Sequence, residues 1–246
     1  MMLLLWLVTV LAIALCLSLY VVAVLKRRRL ARAAKEASAN ALVVTRYQPT
    51  IFDFPCRWLA IKSTNLSAVQ SALGLHNPKP CSWCDGLSSL EDHKLFLSPP
   101  VQGWILAIGN GLPDPGEDID DCYRLIVKLS RELGQVQFFS TNRIVNYHGW
   151  VRAERGRIVR AYAWAGETLW NQGTPTAAET DLGMRCFDYG ERAEILSINQ
   201  VDSNLSNSEK VSALAARWSI DPTTLDETVF SSGQGIAGDW LHTRQA

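Results

Sequence analysis

The sequence predicts an α+β fold: an N-terminal transmembrane helix, then a ferredoxin-like (βαββαβ) antiparallel sheet with an added β-hairpin and a C-terminal helix. Three observations predict it. An uncharged apolar run opens the chain. Short strand-like alternations then interleave with two helix-spaced segments. Two longer alternating runs separated by Glu154-Arg155-Gly156 follow. The divisions are residues 1–25 for the span, 26–40 for a basic juxtamembrane linker, 41–230 for the α+β domain and 231–246 for a C-terminal tail.

The run MMLLLWLVTVLAIALCLSLYVVAVL, Met1 to Leu25, has no charge. It exceeds the roughly 20 apolar residues that a spanning helix needs. Backbone groups in hydrocarbon must satisfy one another, so the segment reads as a helix. No basic residue precedes it, and Leu15 before Cys16 argues against lipoprotein cleavage, so it reads as a permanent anchor. Lys26, Arg27, Arg28, Arg29, Arg32 and Lys35 follow, opposed only by Glu36. Basic flanks stay cytoplasmic. The expectation is a single-pass protein of the bacterial inner membrane, with its N-terminus outside and its folded domain in the cytoplasm. The basic run then serves topology and lipid headgroups.

The whole chain balances 24 basic against 24 acidic residues. Setting aside the six basic and one acidic residue of 26–36 leaves 18 basic against 23 acidic. A domain of about −5 weighs against nucleic acid, leaving only a local basic face open. A cytoplasmic placement would also keep the cysteines reduced.

CRWLAIKS (Cys56 to Ser63) alternates as a strand. Leu66, Val69 and Leu73 follow at helical spacing, and Gly74 stands where a helix would end. His93 to Ser98 is a short strand, SPPVQG a turn, and Gly103 to Gly109 a buried strand. Ile119, Cys122, Ile126, Leu129 and Leu133 predict an amphipathic helix closed by Gly134, and Val136 to Ser140 the next strand. That order is the split βαβ arrangement. Arg143 to Ala153 and Arg157 to Gly166 predict the hairpin. Ser208 caps a final helix with Val211, Leu214, Ala215 and Trp218 on one side, and Trp240 would dock the tail if it docks at all.

Chemistry is sparser. PCSWCDG holds Cys81-x-x-Cys84, a spacing shared by redox and zinc sites. The pair follows a helix and a Pro-rich loop rather than a strand, and Asp85 opposes thiolate formation. His76 and His93 could complete a zinc set with Cys81 and Cys84, though no second C-x-x-C exists. Packing of small thiols beside Trp83 and Leu87 is the plainer reading. Gly109-Asn110-Gly111 resembles a phosphate cradle, but the following helix opens with Asp114, Glu117, Asp118, Asp120 and Asp121, which already occupy its positive end. The cluster lacks the order of a calcium loop.

A three-residue turn would pair Ala153 with Arg157, Trp150 with Arg160, His148 with Tyr162 and Asn146 with Trp164. Asn146, His148, Trp150, Arg160, Tyr162 and Trp164 then share one face, opposite a face of small aliphatic residues. Aromatic residues and Arg carry much of the energy of protein interfaces, so these six are the candidate binding residues. The alternative is that the C-terminal region covers them as core. No G-x-S-x-G, H-E-x-x-H or paired-carboxylate motif is present, so no catalytic residue and no cofactor are assigned.

SPPVQGWILAIGNGLP, RIVNYHGWVRAERGRIVRAYAWAGETLW and KVSALAARWSIDPTTL together are similar to uncharacterised bacterial membrane-anchored proteins. That resemblance spans most of Cys56 to Leu225 and implies no activity. The expected function is a membrane-tethered, non-enzymatic protein-interaction module with a protein partner. The alternative is a thiol- or zinc-dependent protein using Cys81 and Cys84. Small-molecule sensing is a third option, by fold analogy alone.

Overall fold

Strand β1, Cys56–Lys62, sends Leu59 and Ile61 into one apolar cluster and Trp58 and Ala60 into another. A strand buried on both sides belongs at the centre of a sheet covered on both faces. The computed structural model has this form. It describes residues 56–90, 93–191, 207–225, 229 and 233–241, all within the unit Thr50–Ala246.

The remaining strands are β2 (His76–Cys81), β3 (Lys94–Leu97), β4 (Trp104–Ile108), β5 (Gln135–Asn142), β6 (Tyr147–Glu154), β7 (Arg157–Trp164), β8 (Thr168–Gln172) and β9 (Gly235–Asp239). They form one nine-stranded sheet in the order β2-β9-β3-β4-β1-β5-β6-β7-β8, antiparallel at every pairing. The chain's last described strand, β9, lies between β2 and β3.

Helices cover both faces. On the first lie α1 (Leu66–Leu73) and α3 (Ile119–Leu133). Asn65 caps α1 by accepting from the Ala68 amide, and Gly74 ends it with φ 67°. Asp118 caps α3 by accepting from the Asp121 amide. Its buried Cys122, Leu125, Ile126 and Leu129 pack with Phe138, Val151, Ala161 and Ala163. On the second face lie α2 (Trp83–Ser88), α4 (Ala177–Asp181) and α5 (Asn207–Trp218). Trp83, Val211, Leu214 and Trp218 cover Trp58, Phe96, Phe139, Trp150 and Tyr162 there. Small side chains such as Ala153, Ala161 and Ala163 share the first-face cluster with the long α3, and large aromatics fill the second face.

Several expectations are corrected. The fold is not the expected ferredoxin-like sheet behind a transmembrane helix: it is a nine-stranded antiparallel sheet with helices on both faces. The expected four strands and hairpin are present, but β2, β8 and β9 extend the sheet at both edges, and α2, α4 and α5 remove its open face. Among the described residues no helix is long and apolar enough to cross a membrane. The expected single-pass inner-membrane placement is corrected on that finding, and residues 1–25 and 26–40, from which it was read, lie outside the described residues. The tail 231–246 contributes β9, with Trp240 buried and its Nε1–H donating to the Leu73 carbonyl at 2.7 Å.

The hairpin register also differs. Its turn has two residues, Arg155 and Gly156, with φ of 50° and 79°, the backbone that matches strand twist in tight hairpins. Glu154 pairs with Arg157, and a bulge between Arg152 and Ala153 shifts the rest. Trp150 therefore faces Tyr162 instead of Arg160, and His148 faces Trp164 instead of Tyr162. Asn146 lies outside the strand, in the left-handed region at φ 49°.

Candidate functional site

Five of the six candidate binding residues are core. His148, Trp150, Arg160, Tyr162 and Trp164 share the second face, and all are buried. Trp150 and Tyr162 rings lie 5.0 Å apart, and His148 stacks on Trp150 at 5.7 Å. Only Asn146 is exposed. The expected recognition face is thus covered by the chain itself.

The cover is fixed by a residue that the sequence reading missed. Glu179 in α4 accepts from Arg160 Nε–H at 2.9 Å and from Trp150 Nε1–H at 2.9 Å, all through Oε1. Its Oε2 accepts from the amide and hydroxyl of Thr176, completing a capping box. Arg160 Nη1 donates further to the Asn171 side chain and the Gln172 and Gly173 carbonyls, and its Nη2 to Cys186 Sγ. A buried guanidinium and carboxylate, each satisfied, hold segment 171–187 over the sheet. The signal for Glu179 was Thr176-x-x-Glu179 itself. Burial, with Arg160 opposing it, pushes the Cys186 thiol up to about 12, so this cluster holds a thiol rather than a thiolate.

The cysteine loop is not a metal set. His76 and Cys81 stand at opposite ends of β2, facing Asp239 and Gly235 of β9 respectively. Cys84 sits in α2, and the His93 carbonyl accepts from the Trp240 amide. Among the described residues no group of three or more His, Cys, Asp or Glu is arranged to hold a metal. Burial and then Asp85 raise the Cys81 pKa, partly offset by the Ala237 backbone. That is the opposite of what a redox thiol needs.

A cleft of about 350 Å³ opens at the end of the sheet where β1 and β6 begin and β5 and β7 end. Arg57, Asp114, Glu117, Asn142, Val145 and Tyr147 line it. Tyr147 donates its hydroxyl to Asp114 Oδ1 at 2.6 Å, and the Gly116 amide donates to the same oxygen at 2.8 Å. Arg57 donates to the Leu112 carbonyl and lies 3.8 Å from Asp114 Oδ2. Burial first, then the Asp114 charge, push the Tyr147 phenol well above its ordinary range, so it remains a donor. Loop 109–117 is thereby tied to β1 and β6. Burial pushes the Cys56 thiol up to about 12, Arg57 opposing, which favours the protonated thiol. The walls can bind and orient a polar group.

At the rim, Arg143–Val145 forms a 3-10 turn. Asn142 caps it by accepting from the Ile144 amide at 3.2 Å. Ile144 is 70% exposed and Val145 58%. The alternation predicts a strand from Arg143, whereas the strand begins at Tyr147. The paired asparagines at 142 and 146, both turn-forming residues, were the available signal.

Comparison of the chain with protein-family models, with curated proteins and with solved structures finds no match.

Proposed function

We propose that the protein is a non-enzymatic protein-interaction module that engages its partner at this open end of the sheet. The observation that carries the reading is the exposure of two adjacent aliphatic side chains, Ile144 and Val145, on a turn held at both ends. Single exposed apolar residues are ordinary; an adjacent pair on a locked turn beside a polar cleft marks an interaction site. The turn is already ordered, so a partner does not have to freeze it on binding. Asp114, Glu117, Asp118 and Asp120 lie in the loop and helix start behind the rim. They favour a protein segment that pairs an aliphatic side chain with Lys or Arg. The thiol- or zinc-dependent alternative gains no support, because Cys81 shifts away from thiolate and its companions are not assembled.

The test places a photo-crosslinking residue at Val145 in the full chain and identifies what it captures in cells. The captured protein is then purified and titrated against wild type, Ile144→Asp and Val145→Asp, with circular dichroism checking each fold. The expected result is a loss of roughly tenfold or more in affinity for each variant, equivalent to about 1.4 kcal/mol. Absence of any captured protein, or an affinity untouched by both substitutions, overturns the proposal.

A further inference from the structure

The two edges of the sheet differ in composition. At one, β2 carries Pro78 and Pro80, which have no amide to offer, and Lys79 between them. At the other lies β8, whose sequence TLWNQ has no proline and no charge. Among the described residues β8 has a strand on one side only, β7. An uncharged, proline-free edge is a template for pairing with another chain.

The backbone of Asn171, in the middle of this edge, is nevertheless occupied. Its amide donates to the Tyr189 hydroxyl at 2.8 Å, and the hydroxyl donates back to the Asn171 carbonyl at a long 3.5 Å. Both backbone groups therefore point away from β7. In an antiparallel pair, such an amide and carbonyl exchange two bonds with a single residue opposite. A phenol oxygen is both acceptor and donor, so one side chain stands in that residue's place. The segment that brings it there is fastened to β8 by side chains. Thr168 Oγ1 donates to the Phe187 carbonyl at 2.8 Å, and Asn171 Nδ2 donates to the same carbonyl at 3.3 Å and to Asp188 Oδ1 at 3.2 Å. Tyr189 itself is 61% exposed. Apolar burial does not account for its position; the contact with the β8 backbone does.

We infer that Tyr189 is an edge guard: its hydroxyl holds the place of a tenth strand and keeps β8 from pairing with β8 of a second copy. An antiparallel edge can pair with itself about a two-fold axis, and doing so would continue a sheet that is antiparallel throughout. TLWNQ brings no like charges together in that pairing. Tyr123, 43% exposed and 6.3 Å from Trp170, offers apolar surface that a second copy would cover. The Asp188 carboxylate beside Asn171 adds repulsion between copies and so reinforces the guard. None of this depends on the Ile144–Val145 rim.

The experiment follows amide hydrogen exchange of residues 168–172 in the full chain over a roughly hundredfold range of concentration, with sedimentation velocity on the same samples. Wild type is compared with Tyr189→Phe, which removes only the hydroxyl, and Tyr189→Ser, which also removes the ring. Circular dichroism checks each fold. Wild-type exchange in β8 is expected to be independent of concentration. In both variants the Asn171 amide should exchange roughly tenfold faster than in wild type when dilute, its partner gone. It should then slow as concentration and sedimenting mass rise together. Three outcomes overturn the inference: β8 exchange that is independent of concentration in both variants, concentration-dependent protection of β8 already in wild type, or association of Tyr189→Phe alone. The last would assign the effect to an exposed apolar ring instead of a freed edge.

Discussion

Arg160 is wholly buried, and its charge is met by Glu179, with the remaining donors spread over carbonyls and Asn171. Removing one member of such a pair leaves the other uncompensated in a low-dielectric interior. Glu179→Ala is expected to cost about 3–5 kcal/mol in urea unfolding, whereas Arg160→Met combined with Glu179→Met should cost less than the single change. A double variant no more stable than Glu179→Ala would mean that the network carries stability beyond the charge pair. His148 sets a second condition. Neither ring nitrogen has a hydrogen-bond partner among the described residues, and the ring stacks against both Trp150 and Tyr162, which also touch each other. Burial holds its pKa down at about 4 against an ordinary 6.5, with the Asn146 backbone acting in the opposite sense. The unfolded chain takes up this proton first as pH falls. Stability is therefore complete above about pH 6.5 and declines between 6.5 and 4, by at most about 3 kcal/mol. His148→Phe should flatten that part of the urea midpoint against pH. An unchanged slope in the variant would assign the loss to carboxylates.

At the scale of elements, what could be read in the sequence follows from how far an element's partners are encoded locally. β1, β4, β5 and α3 bury continuous or regularly spaced apolar residues, so their own patterns reveal them. β2 and β9 do not. HNPKPC is exposed along most of its length and contains two prolines, so nothing in its own pattern marks a strand. It becomes one through β9, whose GIAGD reads as a flexible tail. The glycines of β9 are there because neighbouring backbone comes close: a Cβ on Gly238 would meet the His76 carbonyl at 2.6 Å. Pro78 and Pro80 lie two apart, so both lack the amide on the same side of an edge strand, which discourages pairing with another chain. The hairpin's existence was legible, but its register depended on Arg155 adopting a left-handed backbone, which residue type alone did not announce. The candidate site suffered from the same gap. Alternation along the hairpin puts His148, Trp150, Arg160, Tyr162 and Trp164 on one face, yet whether partner or self covers them is decided by α4, α5 and segment 182–187, far along the chain. The hairpin turn is likewise joined to α3 through hydrogen bonds that no local pattern expresses, the Arg155 amide to the Gly134 carbonyl and the Gly156 amide to Ser130 Oγ.

For the whole molecule, the consequence is a sheet whose order differs greatly from chain order. β9 is the last of the described strands in chain order and sits between β2 and β3, which are formed from residues more than a hundred positions earlier. Pairing of such distant segments is slow to form and makes the segment around β9 part of the cooperative unit. β9 hydrogen-bonds on both sides, and Trp240 behind it reaches the first-face cluster beside Leu73 and Leu75. A chain lacking residues 233–246 loses that Trp, worth about 3–5 kcal/mol on its own by comparison with large-to-small core changes. It also leaves β2 without a partner and exposes the ladder of β3. Set against the about 5–15 kcal/mol that separates folded from unfolded states in ordinary domains, the loss is expected to abolish the single cooperative urea transition. The measurement is urea unfolding followed by both far-ultraviolet circular dichroism and tryptophan fluorescence. Wild type should give coincident transitions. The shortened chain should give a broad one with a lowered denaturant slope, because less surface is buried to begin with. A shortened chain with the wild-type midpoint and slope would mean that β9 is an appended strand, and that the sheet from β3 to β8 is the unit that folds.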